Sequence, residues 1–234
     1  MARPLVVLGS GGNTLDVMDV VAAINAQEPV WDLAGVLDDA TPVGPNPLGL
    51  RTLGRLADAE ELCAPSGALA DALFINAIGS ERNHAARADI VARTGLPAER
   101  FATLVHPAAG VSPRAVLGRG CCINFGASIA ACVHIGDHVW IGHGCVIGHD
   151  SMLEDHAVLA PRATLSGFVR LGAGSYVGSA AVVRQGLVIG AKALVGMGAV
   201  VLRDVSPGSV VVGNPAYELH RSCIVPSGPA TAVS

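Results

Sequence analysis

The sequence predicts a Rossmann-like α/β domain followed by a left-handed parallel β-helix, and three observations carry that reading. An aliphatic residue recurs at every sixth position from Val105 to Val201, seventeen times without an insertion, and each is Val, Ile or Leu. The residues ahead of this repeat alternate strand and helix patterns. The composition is 51% hydrophobic but only 3% aromatic, with 29 glycines, so the core must be thin, regular and built from small and β-branched side chains. A chain of 234 residues suffices for two modest domains, each with its own core.

The front segment begins with an apolar strand, Leu5-Val6-Val7-Leu8, which runs into Gly9-Ser10-Gly11-Gly12-Asn13. Thr14 to Gln27 then carries Leu15, Val17, Met18, Val20, Val21 and Ile24 at helical spacing, so this is a βα unit with a glycine-rich turn. A second strand, Leu33–Leu37, ends at Asp38-Asp39, and a third, Ala72–Ile78, ends at Gly79; helices are expected near Leu53–Leu62 and Asn83–Arg93. Open α/β sheets bind ligands beyond the carboxyl ends of their strands, which gathers Gly11, Gly12, Asn13, Asp38, Asp39, Gly79 and Ser80 on one rim as candidate substrate contacts. The turn lacks the third glycine of the dinucleotide fingerprint, because Thr14 stands there, and a plain tight turn is an equal reading of it.

In the second segment each hexad carries the aliphatic residue, often a glycine next (Gly118, Gly136, Gly142, Gly148), and a small fifth residue such as Ala127, Cys145 or Ala163. A period of six fits neither a helix nor a simple strand; it fits a hexapeptide β-helix, in which each hexad is one side of a triangular coil. The aliphatic and small residues point inward, and glycine is expected to ease the turn between sides. Residues 18 apart then stack at the inter-strand spacing of about 4.8 Å. Domain boundaries are expected at 1–102, 103–218 and a tail of 219–234.

Composition and charge narrow the function. The formal charge is −4 and no Lys/Arg run could track a phosphate backbone, which argues against nucleic acid. No segment approaches the roughly 18 apolar residues of a membrane span, and the amino terminus shows no signal-peptide pattern, so a cytoplasmic location is expected. The six cysteines form no C-x-x-C pair; they are read as reduced, with Cys121 and Cys145 in the core.

Histidines supply the candidate chemistry, with five between residues 134 and 156. A reaction that moves a proton near neutral pH needs a base, and imidazole suits that role. His149 stands third in the hexad Ile147–Met152, and Gly167, 18 residues on, shares its corner. His143 holds the same hexad place one side earlier, so position alone leaves both open as the base, and His143 is also a candidate acceptor contact. His138 and His156, also 18 apart, should stack beside Asp137 and Asp155, as an exposed polar ladder or a metal-holding pair.

The hexads, the βα front end, and Val195-Gly196-Met197-Gly198-Ala199-Val200-Val201 followed by Val212-Gly213-Asn214-Pro215-Ala216 together resemble the NeuD/PglD-like sugar acyltransferases, over roughly Leu5 to Arg221. The resemblance implies a homotrimer with active sites between adjacent β-helices, and acetyl-CoA as acyl donor. The family's Val-x-x-His-acid segment is matched by Val146-Ile147-Gly148-His149-Asp150, which implies His149 as base, Asp150 as its acidic companion and Gly167 as backbone donor to the thioester oxygen. Ser179 and Met197, 18 apart, are implied along the coenzyme groove with Gly167. Three positions depart from the family: Asn13 replaces a histidine in the glycine-rich turn, Gly142 a side-chain amide and Val158 a second histidine.

The function expected on this basis is transfer of an acetyl group to the amino group of an amino sugar, free or nucleotide-linked, by direct attack and with no metal. Alternatives are O-acetylation of a sugar hydroxyl, a γ-class carbonic anhydrase-like zinc enzyme, or a non-catalytic trimeric scaffold. Zinc sites of that class use H-x4-H, whereas His143 and His149 are H-x5-H.

Overall fold

The structure, a computed structural model, describes residues 2–65, 67 and 69–219. Most of the expected tail, 220–234, and Cys223 with it, lies outside the described residues.

The front domain forms β1 (Arg3–Leu8), α1 (Gly12–Gln27), β2 (Trp31–Leu37), β3 (Gly44–Pro45), β4 (Arg51–Gly54), α2 (Ala59–Leu62), β5 (Leu73–Asn76) and α3 (Arg87–Ala92). The sheet order is β3-β4-β2-β1-β5, all parallel except the edge strand β3. Leu5, Val6, Val7 and Leu8 are all 0% exposed, as a central parallel strand covered on both faces requires. The expected helix at Leu53–Leu62 is corrected here: Leu53 lies in β4 and helical backbone starts only at Leu56. The cause is Asn46, whose Oδ1 accepts from the N–H groups of Leu48 and Leu50 and folds the chain back as a β3–β4 hairpin.

From Leu104 the chain winds as a left-handed β-helix of two-residue strands. Each strand pairs in parallel with the one 18 residues on, as in Ile129↔Ile147 and Ile147↔Leu165. The aliphatic residues and the small fifth residues fill a continuous interior; Ile123, Ile141, Leu159, Cys145 and Ala163 are all 0% exposed. Burial pushes the Cys121 and Cys145 thiols up to about 11, so both behave as small apolar core residues.

The expected role of the hexad glycine needs correction. Left-handed backbone falls on the fourth residue of every hexad from Gly120 to Gly198, including His138, Asp150 and Phe168, not on the second-place glycine. The second-place glycines are needed because the next coil lies against them. A Cβ on Gly148 would stand 2.5 Å from the Ser166 carbonyl carbon, and one on Gly172 would stand 2.8 Å from Ala191 Cα. Backbone on both sides leaves nothing flexible to yield. Gly172→Ala, far from any candidate chemistry, is therefore expected to lower stability by about 1–3 kcal/mol in chemical denaturation, the range of core overpacking.

The coil has three faces. The first carries Leu104, Cys122, Trp140 and Val158 outward, and these pack with Val17, Val20 and Val21 of α1 in one apolar cluster with Leu5 and Val7. The second presents Ser128, Val146 and Thr164, and the third His134, Met152 and Arg170. The helix also runs further than its regular repeat: Val205 bridges Ile189 and Val211 pairs with Val195, each 16 residues apart instead of 18. A final strand, Tyr217–Glu218, then runs antiparallel to Val211–Val212.

Candidate active site

His149 follows the strand Val146–Ile147 at the corner between the second and third faces. Its Nδ1 lies 2.7 Å from Oδ2 of Asp150, which the left-handed backbone of Asp150 (φ 57°) turns back toward the ring. A carboxylate accepts, so Nδ1 carries a hydrogen, and in the neutral ring the lone pair is then on Nε2. Both side chains are about half exposed, at 55% and 44%. One coil on, Gly167 is buried against the ring: a Cβ there would stand 2.9 Å from Nε2 and 3.0 Å from Cε1 of His149. Its backbone N–H donates to no acceptor among the described residues. The Phe168 ring meets the imidazole edge-on, with centroids 5.1 Å apart and planes at 86°.

The rim of the front sheet holds a cleft of about 360 Å³, within the range of small-molecule sites. Gly11, Gly12, Asn13, Asp38, Gly79 and Ser80 all line it, as expected from the strand ends. Asp39 does not: its carboxylate pairs with Arg93 at 2.8 Å and accepts from Leu56 N–H. Asn13 donates through Nδ2 to the carbonyls of Ala77 and Gly79, tying the α1 turn to the end of β5. Asp38 Oδ2 accepts from the backbone and hydroxyl of Ser10, and Oδ1 from Ala40 N–H. Burial raises the Asp38 carboxyl pKa, but the hydrogen bonds from Ser10, Ala40 and Thr41 outweigh it and hold it below the ordinary value. Ser10, Ile78 and Asn83 also line the cleft and were not singled out in the sequence. A Ser-x-x-Asn spacing was the available signal for Asn83, whose Oδ1 accepts from Ser80 N–H.

Gly11 and Gly12 are informative because nothing in the chain demands them. Neither has a positive φ, and a Cβ on either would meet nothing within 4 Å. They stand at the start of the 16-residue α1, whose first turn no side chain caps.

His143, Ser179 and Met197 occupy a different corner, between the first and second faces, with Met197 74% exposed. His143 lies within electrostatic reach of Asp16 on α1 and of His106. The His143–Ser179–Met197 corner thus adjoins the first face, on which α1 packs, whereas the His149–Gly167 corner lies between the other two faces.

The remaining corner, between the third and first faces, corrects the expectation of an exposed ladder. His138 and His156 do stack, at 5.0 Å and 2°, but His138 is only 6% exposed. Phe101 packs edge-on against it, and the fully buried Arg87 of α3 donates to the His138 and Ile78 carbonyls. His84 Nδ1 bonds Gly174 O at 2.8 Å, a second polar tie between the domains. Burial first and the His156 charge second pull the His138 pKa down to about 4; Asp137 opposes them, and Arg87 and Asp155 act more weakly in opposite directions; burial likewise lowers His156. Among the described residues no group of three or more His, Cys, Asp or Glu is arranged to hold a metal ion.

The bacterial transferase hexapeptide (six repeats) model matches residues 132–167. The acetyltransferase domain of PglB from Neisseria gonorrhoeae is 30% identical with a TM-score of 0.78, covering 93% of this chain and 100% of that one. The same domain has also been solved in complex with acetyl coenzyme A. PerB from Caulobacter crescentus, solved with CoA and GDP-perosamine, is 28% identical with a TM-score of 0.78, covering 94% of this chain and 99% of that one. No curated protein sequence matches the chain. The hexapeptide β-helix and its likeness to these acetyltransferases place the chain among the hexapeptide-repeat acyltransferases. Within that class the chain belongs to the NeuD/PglD-like sugar acyltransferases.

Proposed function

We propose that this acyltransferase moves the acetyl group of acetyl-CoA onto the amino group of a nucleotide-linked amino sugar, with His149 as general base. The observation that carries the reading is the His149 imidazole held by Asp150 through Nδ1, with Nε2 free beside Gly167. Nε2 takes the proton from the attacking amine as the nitrogen–carbon bond forms. The Gly167 N–H, without an acceptor of its own, stabilises the oxyanion of the tetrahedral intermediate. The carbon–sulfur bond then breaks, and the imidazolium returns its proton to the departing thiolate.

The rim cleft is the acceptor site in this reading. Gly11 and Gly12 leave the uncapped first turn of α1 open to a phosphate, and helix N-termini favour anions there. The amine acceptor is supported by the relatives, since PerB was solved with the amino sugar nucleotide GDP-perosamine. Ser179 and Met197 would flank the pantetheine arm, and His143 would face the acceptor. Because the His149 corner does not border the face on which the front domain of its own chain packs, a complete site in this reading takes a second copy, and a homotrimer with sites between adjacent β-helices satisfies this.

The test is incubation of the purified protein with acetyl-CoA and a panel of nucleotide-linked amino sugars and their hydroxyl counterparts, following thiol release and product mass. Acetylation of an amino sugar at nitrogen is the expected result. Thiol release with the hydroxyl compounds alone would replace the amine reading with O-acetylation.

A further inference from the structure

Phe168 stands where nothing in the fold calls for a phenylalanine. It is the fourth residue of its hexad, with φ 58°, a conformation unfavourable to bulky side chains. Glycine fills the equivalent place at Gly120, Gly126, Gly144, Gly174, Gly186 and Gly198. The ring is 53% exposed, so core packing does not explain it either. What the ring does touch is His149: the two are edge-to-face at 5.1 Å, and the Phe168 N–H donates to the His149 carbonyl at 2.9 Å.

The imidazole otherwise has one restraint on its rotation, the bond from Nδ1 to Asp150, and both partners are about half exposed. Gly167 bounds it on one side, where the absent Cβ leaves room for Nε2 and Cε1. Resting on the reading of His149 as the base, we propose that Phe168 is a positioning residue that fixes the plane of the His149 imidazole, so that Nε2 stays beside the Gly167 N–H. The left-handed strain at Phe168 is then retained for the sake of the ring.

This separates function from stability in an unusual direction. Phe168→Gly relieves the backbone and places there the residue found at six other hexads, so thermal stability is expected to be unchanged or higher. At the same time kcat is expected to fall about two- to tenfold, the range of an edge-to-face aromatic contact, with KM for both substrates unchanged. Phe168→Tyr keeps the ring and is expected to keep kcat.

Steady-state kinetics of Phe168→Gly, Phe168→Tyr and His149→Ala, with melting curves for each, provide the test. A wild-type kcat in Phe168→Gly while His149→Ala is inactive would overturn the role of Phe168 alone. A raised KM with unchanged kcat would also overturn it, making the ring a substrate contact. Near wild-type activity in His149→Ala would remove the base assignment instead. In Phe168→Tyr, a loss equal to that of glycine would show that the ring does not act through its edge-to-face contact with the imidazole.

Discussion

His149→Ala is expected to lower kcat by about 10²- to 10⁴-fold, the range of a lost general base. The fold should tolerate the change, because the side chain is 55% exposed and contributes nothing to the coil interior. The acid-paired ring has Nε2 within reach of the space above Gly167, while the backbone of the corner is fixed by bonds that alanine keeps: Phe168 N–H to the residue-149 carbonyl and Gly148 N–H to Leu165 O. Thiol release at saturating substrates, with circular dichroism to confirm the coil, reads the result. Activity near wild type would take His149 out of the mechanism and return the choice to His143, which holds the same hexad place one side earlier.

The second large effect is loss of stability in acid. His138 holds its folded pKa near 4, whereas an unfolded histidine titrates near the reference value of 6.5. Between those values the unfolded chain binds a proton that the native chain refuses. Stability is therefore intact above about pH 6.5 and falls as the pH drops toward 4. From His138 alone the loss is roughly 2 kcal/mol at pH 5, and His156, also lowered, adds to it. Urea unfolding at pH 7.5 and pH 5 checks this, with His138→Phe expected to shrink the difference. An equal pH dependence in that variant would show that other groups carry it. The interface between the domains should open first, since Arg87 bridges it at the His138 carbonyl and cannot accept a second cation beside it.

The β-helix was legible because its register never breaks over seventeen hexads, so the stacking of His149 on Gly167 and of His138 on His156 followed from counting by 18. The rim residues followed from strand ends in the same way, apart from Asp39. Its neighbour Asp38 faces the cleft, while Asp39 turns to Arg93, a partner more than fifty positions away that local pattern cannot supply. The hairpin β3–β4 was hidden for a similar reason, being set by the side chain of Asn46 and too short to show a period. The glycine assignment failed on geometry: period six reveals which positions are small, not whether backbone twist or the next coil demands it. Burial of His138 was equally invisible, because what covers it, Phe101 and Arg87, comes from before the repeat.

The last strand has a consequence for assembly. A solenoid of parallel coils ends in a row of unpaired N–H and C=O groups, an edge onto which another copy could stack and grow a filament. Tyr217–Glu218 occupies that edge along Val211–Val212 but runs the opposite way, and the coil beneath it is two residues short in its pitch. An incoming first coil would find neither the direction nor the register it needs. On this face of the coil, therefore, the parallel edge is already taken.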